Sequence, residues 1–257
     1  MTTPSGRLYL VPNTLDFATA GALADIAELL PMRSLRIAAA LGHWVCENAR
    51  TTRAFLKRVD AACPLARPLQ ALAIVELPRP AKGRPVDVGA GADIVALLAP
   101  ALAGHDLGLI SEAGLPALAD PGARLVAAAH AAGIHVIALP GASSVSLAVA
   151  ASGLDGQSFA FVGYVPSDAA ARSARLRQLE ATSRQCAQTQ VMIETPYRNQ
   201  ALLDALVASL QPRTLLAVSV GLTLASEFTR SEPVARWRTA PATLPADVPA
   251  VFSIFAR

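Results

Sequence analysis

Cysteine is scarce. Cys46, Cys63 and Cys186 are the only three in 257 residues, they lie far apart, and no Cys-x-x-Cys occurs. An odd, scattered set speaks against a disulfide framework and against a zinc–thiolate site, so no metal is expected and the thiols read as isolated groups in a reducing compartment. Lysine is rarer still: of 22 basic residues only Lys57 and Lys82 are lysine. No apolar stretch approaches the ~20 residues that a membrane-spanning helix needs. Met1 to Arg7 is short and polar, without the basic-then-apolar layout of a signal peptide. These absences lead to the expectation of a cytoplasmic protein with no membrane segment. Net charge is only +3, with a pI near 9.0. That is a weak pull toward a polyanionic partner, and an arginine and alanine excess of genomic origin would produce it equally well.

Apolar residues are abundant at 53% of the chain, enough for a sizeable core. Short apolar runs alternate with helical patterns, which predicts an α/β fold. Strands are expected at Leu8 to Val11, Leu35 to Ala40, Leu72 to Leu77, Leu107 to Ser111 and Ile134 to Leu139. A second group is expected at Ser158 to Tyr164, Gln190 to Glu194, Leu215 to Val220 and Ala250 to Phe255. The clearest helical patterns are Asp93 to Leu102, Ala123 to Ala132, Ser143 to Ala151, Ala169 to Ala181 and Asn199 to Leu210. Pro78 to Gly91 is rich in Pro and Gly and reads as a loop. Ser152 to Gln157 is a polar turn near mid-chain with five expected strands before it and four after it. Two α/β domains follow, residues 1–152 and 153–257, with a cleft between them as the place for a small ligand.

Three strand-to-helix passages carry the chemistry. The first is Gly108-Leu-Ile-Ser111-Glu112-Ala113-Gly114-Leu115-Pro116-Ala-Leu-Ala-Asp120-Pro121-Gly122. Gly114 has no Cβ and lets backbone approach a ligand, the prolines stiffen the loop, and Asp120 is expected to cap the helix that follows. A stiff loop at the C-terminal end of a strand is a usual ligand site in an open α/β sheet; a well-capped connection would look the same. The second passage is Leu139-Pro140-Gly141-Ala142-Ser143-Ser144, where Ser143 or Ser144 would cap a helix or reach a ligand carboxylate. The third is Ile193-Glu194-Thr195-Pro196-Tyr197-Arg198, whose carboxylate and guanidinium would hold a polar ligand or form a surface ion pair worth little. The run Val88-Gly-Ala-Gly-Ala-Asp93 resembles a Gly-x-Gly loop, but no dense apolar strand precedes it, and it reads as a helix lead-in.

The order and spacing of these passages resemble the ribosomal RNA ribose methyltransferases of the tetrapyrrole-methylase fold. The likeness runs from Leu8-Tyr-Leu-Val-Pro12 through Glu47-Asn48-Ala49-Arg50, Ser111-Glu112-Ala113-Gly114-Leu115-Pro116, Ala119-Asp120-Pro121-Gly122 and Pro140-Gly141-Ala142-Ser143. It continues in Phe161-Val-Gly-Tyr-Val-Pro166 and Glu194-Thr-Pro-Tyr-Arg198, and reaches about Arg230. It implies two α/β domains of the tetrapyrrole-methylase type with S-adenosyl-L-methionine in the cleft between them. Pro12, Ser111, Ala113, Gly114, Leu115, Pro116, Asp120, Ser143, Glu194, Leu222 and Thr223 would contact that cofactor. Glu47, Glu112 and Arg50 would be the catalytic set, ribosomal RNA the substrate and a homodimer the assembly.

The chain departs from the family pattern at chemically relevant places. Asn48 stands where the family has Asp, and Asn cannot act as a general base; Ala49 replaces Thr. Glu112 is one methylene longer than the family's Asp. The family's Glu-Leu-Thr-Lys is matched here by Gly221-Leu222-Thr223-Leu224, followed by Ser226-Glu227-Phe228, so the lysine and one acid are missing. Cofactor binding tolerates these changes better than RNA methylation does. Two other readings therefore stand beside RNA methylation: a methyltransferase of the same fold acting on a small molecule such as a tetrapyrrole, and a cofactor-binding protein without RNA methylation. Arg172, Arg175 and Arg177 on one expected helix, with Arg184 just past its end, are candidates for phosphate contacts.

Overall fold

A computed structural model describes residues 5–16, 24–78 and 91–257. The chain divides into two compact units, the first running to Ala142 and the second from Ser143 to Arg257.

The first unit holds a five-stranded sheet in the order β3-β2-β4-β1-β5, with every pairing parallel. Its strands are β1 (Arg7–Leu10), β2 (His43–Cys46), β3 (Ala73–Glu76), β4 (Leu107–Ile110) and β5 (His135–Ala138). A parallel sheet must be covered on both faces, and successive side chains along a strand point to opposite faces. The burial follows that rule. Tyr9, Trp44, Cys46 and Ile110 join one cluster with Ile26, Leu35, Phe55, Leu56 and Val59. Those partners lie on or beside α1 (Ile26–Leu29), α2 (Met32–Ala40) and α3 (Ala49–Ala62). Their sequence neighbours Leu8, Val45 and Leu109 join a second cluster with Ile94, Leu98, Ala101, Leu125 and Ala129. That face is covered by α4 (Gly91–Ala96), α5 (Ala99–Leu102) and α6 (Ala123–Ala131).

The second unit holds a mixed sheet, β6-β7-β10-β8-β9, in which only β6 and β7 are parallel. Its strands are β6 (Phe159–Tyr164), β7 (Thr189–Glu194), β8 (Leu215–Val220), β9 (Phe228–Pro233) and β10 (Ala250–Phe255). Met192, Leu216, Val218, Phe252 and Ile254 pack under α8 (Ala169–Cys186), α9 (Asn199–Ser209) and α10 (Val234–Thr239). The opposite face, through Val191 and Val251, is covered by α7 (Ser144–Ser152). Because α7 belongs to this sheet, the units part at Ala142, ten residues before the seam expected at 152/153.

Three expectations about elements are corrected. Leu35 to Ala40 is not a strand but the body of α2: Leu35, Ala38 and Ala39 are buried while Arg36 is exposed, a helical spacing that the run of small apolar residues disguised. The strand is instead His43–Cys46, just beyond it. Four strands were expected in the second half and five are present; β9, Phe-Thr-Arg-Ser-Glu-Pro, is a sheet edge with no apolar alternation. It is held by pairing to β8, by a Thr229–Ser219 hydroxyl bond of 2.9 Å and by Arg230 lying 4.0 Å over the Trp237 ring. The helix read as ending at Ala181 continues to Cys186, so Arg184 is inside its last turn. The Pro78 to Gly91 loop lies outside the described residues apart from its two ends, as does Val88 to Ala90 of the Gly-x-Gly-like run; Gly91 opens α4.

Candidate functional site

In the first sheet β1 and β4 are neighbours, yet the chain leaves β1 toward the α1–α3 face and leaves β4 toward the α6 face. Connections that diverge from adjacent strands leave a crevice at their C-terminal ends, where open α/β sheets bind ligands. The residues at those ends are Pro12 and Asn13 after β1, and Ser111 to Gly114 after β4.

The two loops are stitched together. The Asn13 backbone N–H donates to the Gly114 carbonyl at 2.8 Å, and the Gly114 N–H donates to the Thr14 carbonyl at 3.4 Å. The Asn13 side-chain amide donates to the Ser111 carbonyl at 3.1 Å and to the Glu112 carbonyl at 2.9 Å. The loop after β5 joins them. A Cβ on Gly141 would fall 2.3 Å from the Pro12 ring, and one on Gly114 would fall 3.2 Å from Leu15 and 3.5 Å from the Ala142 carbonyl. Gly114 is buried at φ +65°, a backbone region costly for residues with a Cβ. Ala117 and Ala119 share positive φ in the same loop. Such clustered strain persists only where the surroundings over-determine it, and is typical of ligand clamps.

Carboxylates gather beside this crevice. Glu47, just after β2, accepts the Glu112 backbone N–H at 3.1 Å. The Thr51 hydroxyl donates to the Glu112 carboxylate at 3.4 Å. Asp120 is half-buried, and its pKa is pushed up to about 6 by burial, with Glu47 and Glu112 adding to the rise and a hydrogen bond from Ser111 opposing it. Three acids on loops after β2 and β4 thus face one another. Arg50 is not among them: it is exposed, and its guanidinium forms no ion pair among the described residues. Asn48, in the family's aspartate position, caps α3 by accepting the Arg50 N–H at 2.9 Å and the Thr51 N–H at 3.5 Å, work that Asn and Asp do about equally well.

Two capping expectations fail. Asp120 does not cap α6; Gly122, at φ +129°, takes the N-cap position, and the Asp120 carboxyl turns to Ser111 instead. Ser143 occupies the N-cap position of α7 without a side-chain capping bond.

Of the second unit's candidate residues, Ser143 opens α7, while Glu194, Leu222 and Thr223 lie at or just past strand ends of the second sheet. Glu194 ends β7 with its side chain 2% exposed and is paired to Arg198 at 2.9 Å. Its other oxygen accepts the Thr195 N–H at 2.8 Å. The carboxylate of this pair is buried and its guanidinium partly exposed, so it is not the fully exposed pair weighed from the sequence. Leu222 packs under α7. Thr223 is a β-branched residue at φ +72°, and its buried hydroxyl has no hydrogen-bond partner among the described residues. An unpaired buried hydroxyl costs about 1–3 kcal/mol, which a ligand atom would relieve.

Asn13 and Arg58 were missed from the sequence. Asn13 had one local signal, a buriable amide directly after the Pro12 that follows β1. Arg58, midway along α3, had none. Among the described residues no helix is long and apolar enough to cross a membrane, and no cluster of three or more His, Cys, Asp or Glu is placed to hold a metal ion.

The raised pKa gives a stability prediction. An acid titrating near 6 in the fold and near 3.8 when unfolded burdens the fold wherever the charge is present, above about pH 6, and relieves it as pH falls toward 4. With partial solvent screening the burden is about 1 kcal/mol. Asp120→Asn should therefore be more stable than the parent by about that amount at pH 8, and equal to it near pH 4, by urea denaturation. A difference that did not change with pH would contradict the assignment.

A family model described as Tetrapyrrole (Corrin/Porphyrin) Methylases matches residues 19–236. Among curated relatives, a Ribosomal RNA small subunit methyltransferase I from Vibrio cholerae is 30% identical over 211 residues, covering 80% of this chain and 63% of that protein. The protein of that name from Mesorhizobium japonicum is 32% identical over 224 residues, covering 87% and 66%. In both, the chain spans less than two thirds of the relative's length. That from Streptococcus pyogenes is 30% identical over 230 residues, covering 88% and 68%. Among solved structures, uroporphyrin-III-C-methyltransferase from Thermus thermophilus aligns over 97% of this chain and 92% of its own, with TM-score 0.52 and 20% identity. A conserved hypothetical protein from Aeropyrum pernix K1 aligns over 98% and 85%, with TM-score 0.57 and 20% identity. The family match takes in most of the chain, and with the motifs and the two sheets described above it places the chain in the tetrapyrrole (corrin/porphyrin) methylase family.

Proposed function

We propose that this protein is an S-adenosyl-L-methionine-dependent methyltransferase whose acceptor is a ribose 2′-hydroxyl of ribosomal RNA. The observation that carries the reading is the convergence of the β1, β4 and β5 loops at the Pro12–Gly114–Ala142 contact, with three carboxylates beside it. The family membership and the names of the relatives point the same way.

The residues fit the cofactor. The cofactor carries a sulfonium and an ammonium, and the Glu47–Glu112–Asp120 cluster offers negative charge where a cation would otherwise be costly to desolvate. Gly114 and the backbone of Ser111, Ala113, Leu115 and Pro116 offer a close main chain rather than long side chains. In the second unit the proposed contacts are Ser143, Glu194, Leu222 and Thr223, of which Thr223 bears the clearest mark, an orphaned hydroxyl. When bound, the cofactor supplies an activated methyl group.

The chain's own task is to orient the acceptor and to take up one proton. Glu112, held by the Thr51 hydroxyl, and Glu47, held by the Glu112 N–H, are the proposed proton acceptors. Asp120, titrating near 6, holds a proton through part of the physiological range and limits how much charge the cluster carries. Arg50, exposed at the start of α3, is proposed to meet the RNA phosphate rather than the methyl donor.

One observation favours the small-molecule reading over RNA. The buried side of α8 is Leu176, Leu179, Glu180 and Ser183. At 3.6 residues per turn, Arg175 and Arg177 fall about 160° apart, on opposite flanks of that side. Arg175 is also engaged by Gln178 at 2.8 Å, and Arg184 contacts the Arg257 carbonyl at 3.3 Å. The arginines do not form one stripe for a phosphate backbone. The reading includes a homodimer in the cytoplasm, which light scattering at tens of micromolar tests for its mass.

The deciding experiment is mass spectrometry of ribosomal RNA from a deletion strain, paired with calorimetry of the purified protein with S-adenosylmethionine. Loss of one methylated ribose is the expected result. An unchanged methylation map with intact cofactor binding would transfer the case to a small-molecule acceptor. No heat at millimolar cofactor would remove the methyltransferase reading itself.

A further inference from the structure

The crevice lies at the C-terminal ends of the first sheet. The opposite end carries a second concavity of about 380 Å³, lined among others by Tyr9, Gly42, His43, Arg67, His105 and Asp106. His43 starts β2, and His105 and Asp106 lead into β4. Their separation from the loops that hold Gly114 is the length of the strands, so this is a different place with a different chemistry.

Here the charge is of the other sign. The imidazoles of His43 and His105 stack with centroids 5.2 Å apart and planes 27° from parallel. The Arg67 guanidinium lies beside Gly42, where a Cβ would stand 3.2 Å from Nη1, so a larger residue would push the cation out of the concavity. Arg67 has no carboxylate partner among the described residues. The one carboxylate in the lining, Asp106, uses Oδ1 to accept the Arg7 backbone N–H at 2.9 Å. The Arg7 guanidinium is itself directed to the Tyr9 hydroxyl at 3.3 Å. Nothing in the proposed methyl-transfer chemistry uses these groups.

The geometry points to a binding site for a phosphate group at this concavity, with Arg67 supplying permanent charge and the His43–His105 pair supplying a proton on demand. A planar guanidinium pairs well with phosphate oxygens. Two stacked imidazoles cannot both be protonated cheaply, and His43 is held below its usual pKa by burial first, then by His105 and Arg67. An anion between them reverses that balance, because a nearby opposite charge favours the protonated ring. For a ligand of constant charge, such as a diester, binding therefore takes up a proton and weakens as pH rises. The charged groups facing the pair are Arg67, Asp106 and, through Tyr9, Arg7. The phosphate has two possible sources, a diester of an RNA backbone or a free phosphomonoester.

The test uses the full chain and its four histidines, His43, His105, His130 and His135. Imidazole NMR signals, assigned with single His→Gln variants, are followed during titration with inorganic phosphate and with a short single-stranded RNA. The expected result is saturable movement of the His43 and His105 signals with His130 unmoved, and an affinity for the RNA, whose diester charge is constant over this range, about tenfold weaker at pH 8 than at pH 6. Arg67→Gln should weaken it at least about fivefold with the fold intact by circular dichroism. Tighter binding of the RNA than of phosphate identifies a diester; the reverse identifies a phosphomonoester. No movement up to 20 mM phosphate and none with RNA, or equal movement of all four histidines, overturns the site.

Discussion

Gly114→Val is expected to lower the affinity for S-adenosylmethionine by about 100-fold or more, equivalent to about 2.7 kcal/mol. Two effects combine. Gly114 sits at φ +65°, where a residue with a Cβ is disfavoured by about 1–2 kcal/mol and a β-branched one by more. The new Cβ would also meet Leu15 at 3.2 Å and the Ala142 carbonyl at 3.5 Å, so relief of the strain must displace the loops that meet there. Gly153, at φ +66° with nothing within 4 Å of a built Cβ, is the control: Gly153→Val carries similar backbone strain and touches none of these loops. Calorimetry and thermal melts should show both variants losing stability and only the first losing the cofactor. Gly114→Ala, a milder change that retains the fold, should lose affinity in the same direction. Parent-like binding by both Gly114 variants would place the cofactor elsewhere.

Arg58→Ala is expected to cost about 3 kcal/mol of stability. Arg58, on α3, grips Asp16 with both amino groups, at 3.0 Å and 3.2 Å, and also donates to the Thr14 hydroxyl at 3.1 Å and the Ala24 carbonyl at 3.1 Å. The Asp16 side chain is only 7% exposed, and Thr14 donates a further short hydrogen bond to it. Taking away the cation leaves a buried carboxylate without its counter-charge, the case in which a buried pair is most costly to break. Asp16→Asn in the same chain removes that charge and should recover more than half of the loss, a non-additivity that marks a direct pair. The Thr14 carbonyl also receives the Gly114 N–H, so the single variant should weaken cofactor binding as well. Urea midpoints of the two single variants and the double one decide it; simple additivity would contradict the clamp.

The sequence showed the second sheet's central strands well, because Leu215–Val220 and Ala250–Phe255 are apolar runs interrupted by a single serine each. It misled at Leu35 to Ala40, where five small or apolar residues around Arg36 suit either periodicity until the burial of every third or fourth is known. It was silent on β9, whose place comes from its partners rather than its composition. The candidate site divides the same way. Ser111, Glu112, Gly114 and Asp120 stand in one stretch of loop chemistry and were legible there. Asp120 was given the wrong local role because a helix cap is visible in sequence and a hydroxyl nine residues back is not. Asn13 and Arg58 act across 98 and 42 residues of chain, on Ser111 and Asp16 respectively, and no local pattern announces such partners.

The strand order of the first sheet also has a consequence in time. β1 has no partner among its near neighbours: it pairs with β4, Leu8 beside Leu107, and with β5, Arg7 beside His135. A nascent chain must therefore extend about 130 residues past its first strand before that strand can take its place. At roughly 5–20 residues per second, the wait is on the order of 6–26 s. Throughout that interval Leu8 and Tyr9 remain open to chaperones or to other unfinished chains. Slowing elongation between β3 and β5 lengthens the exposure.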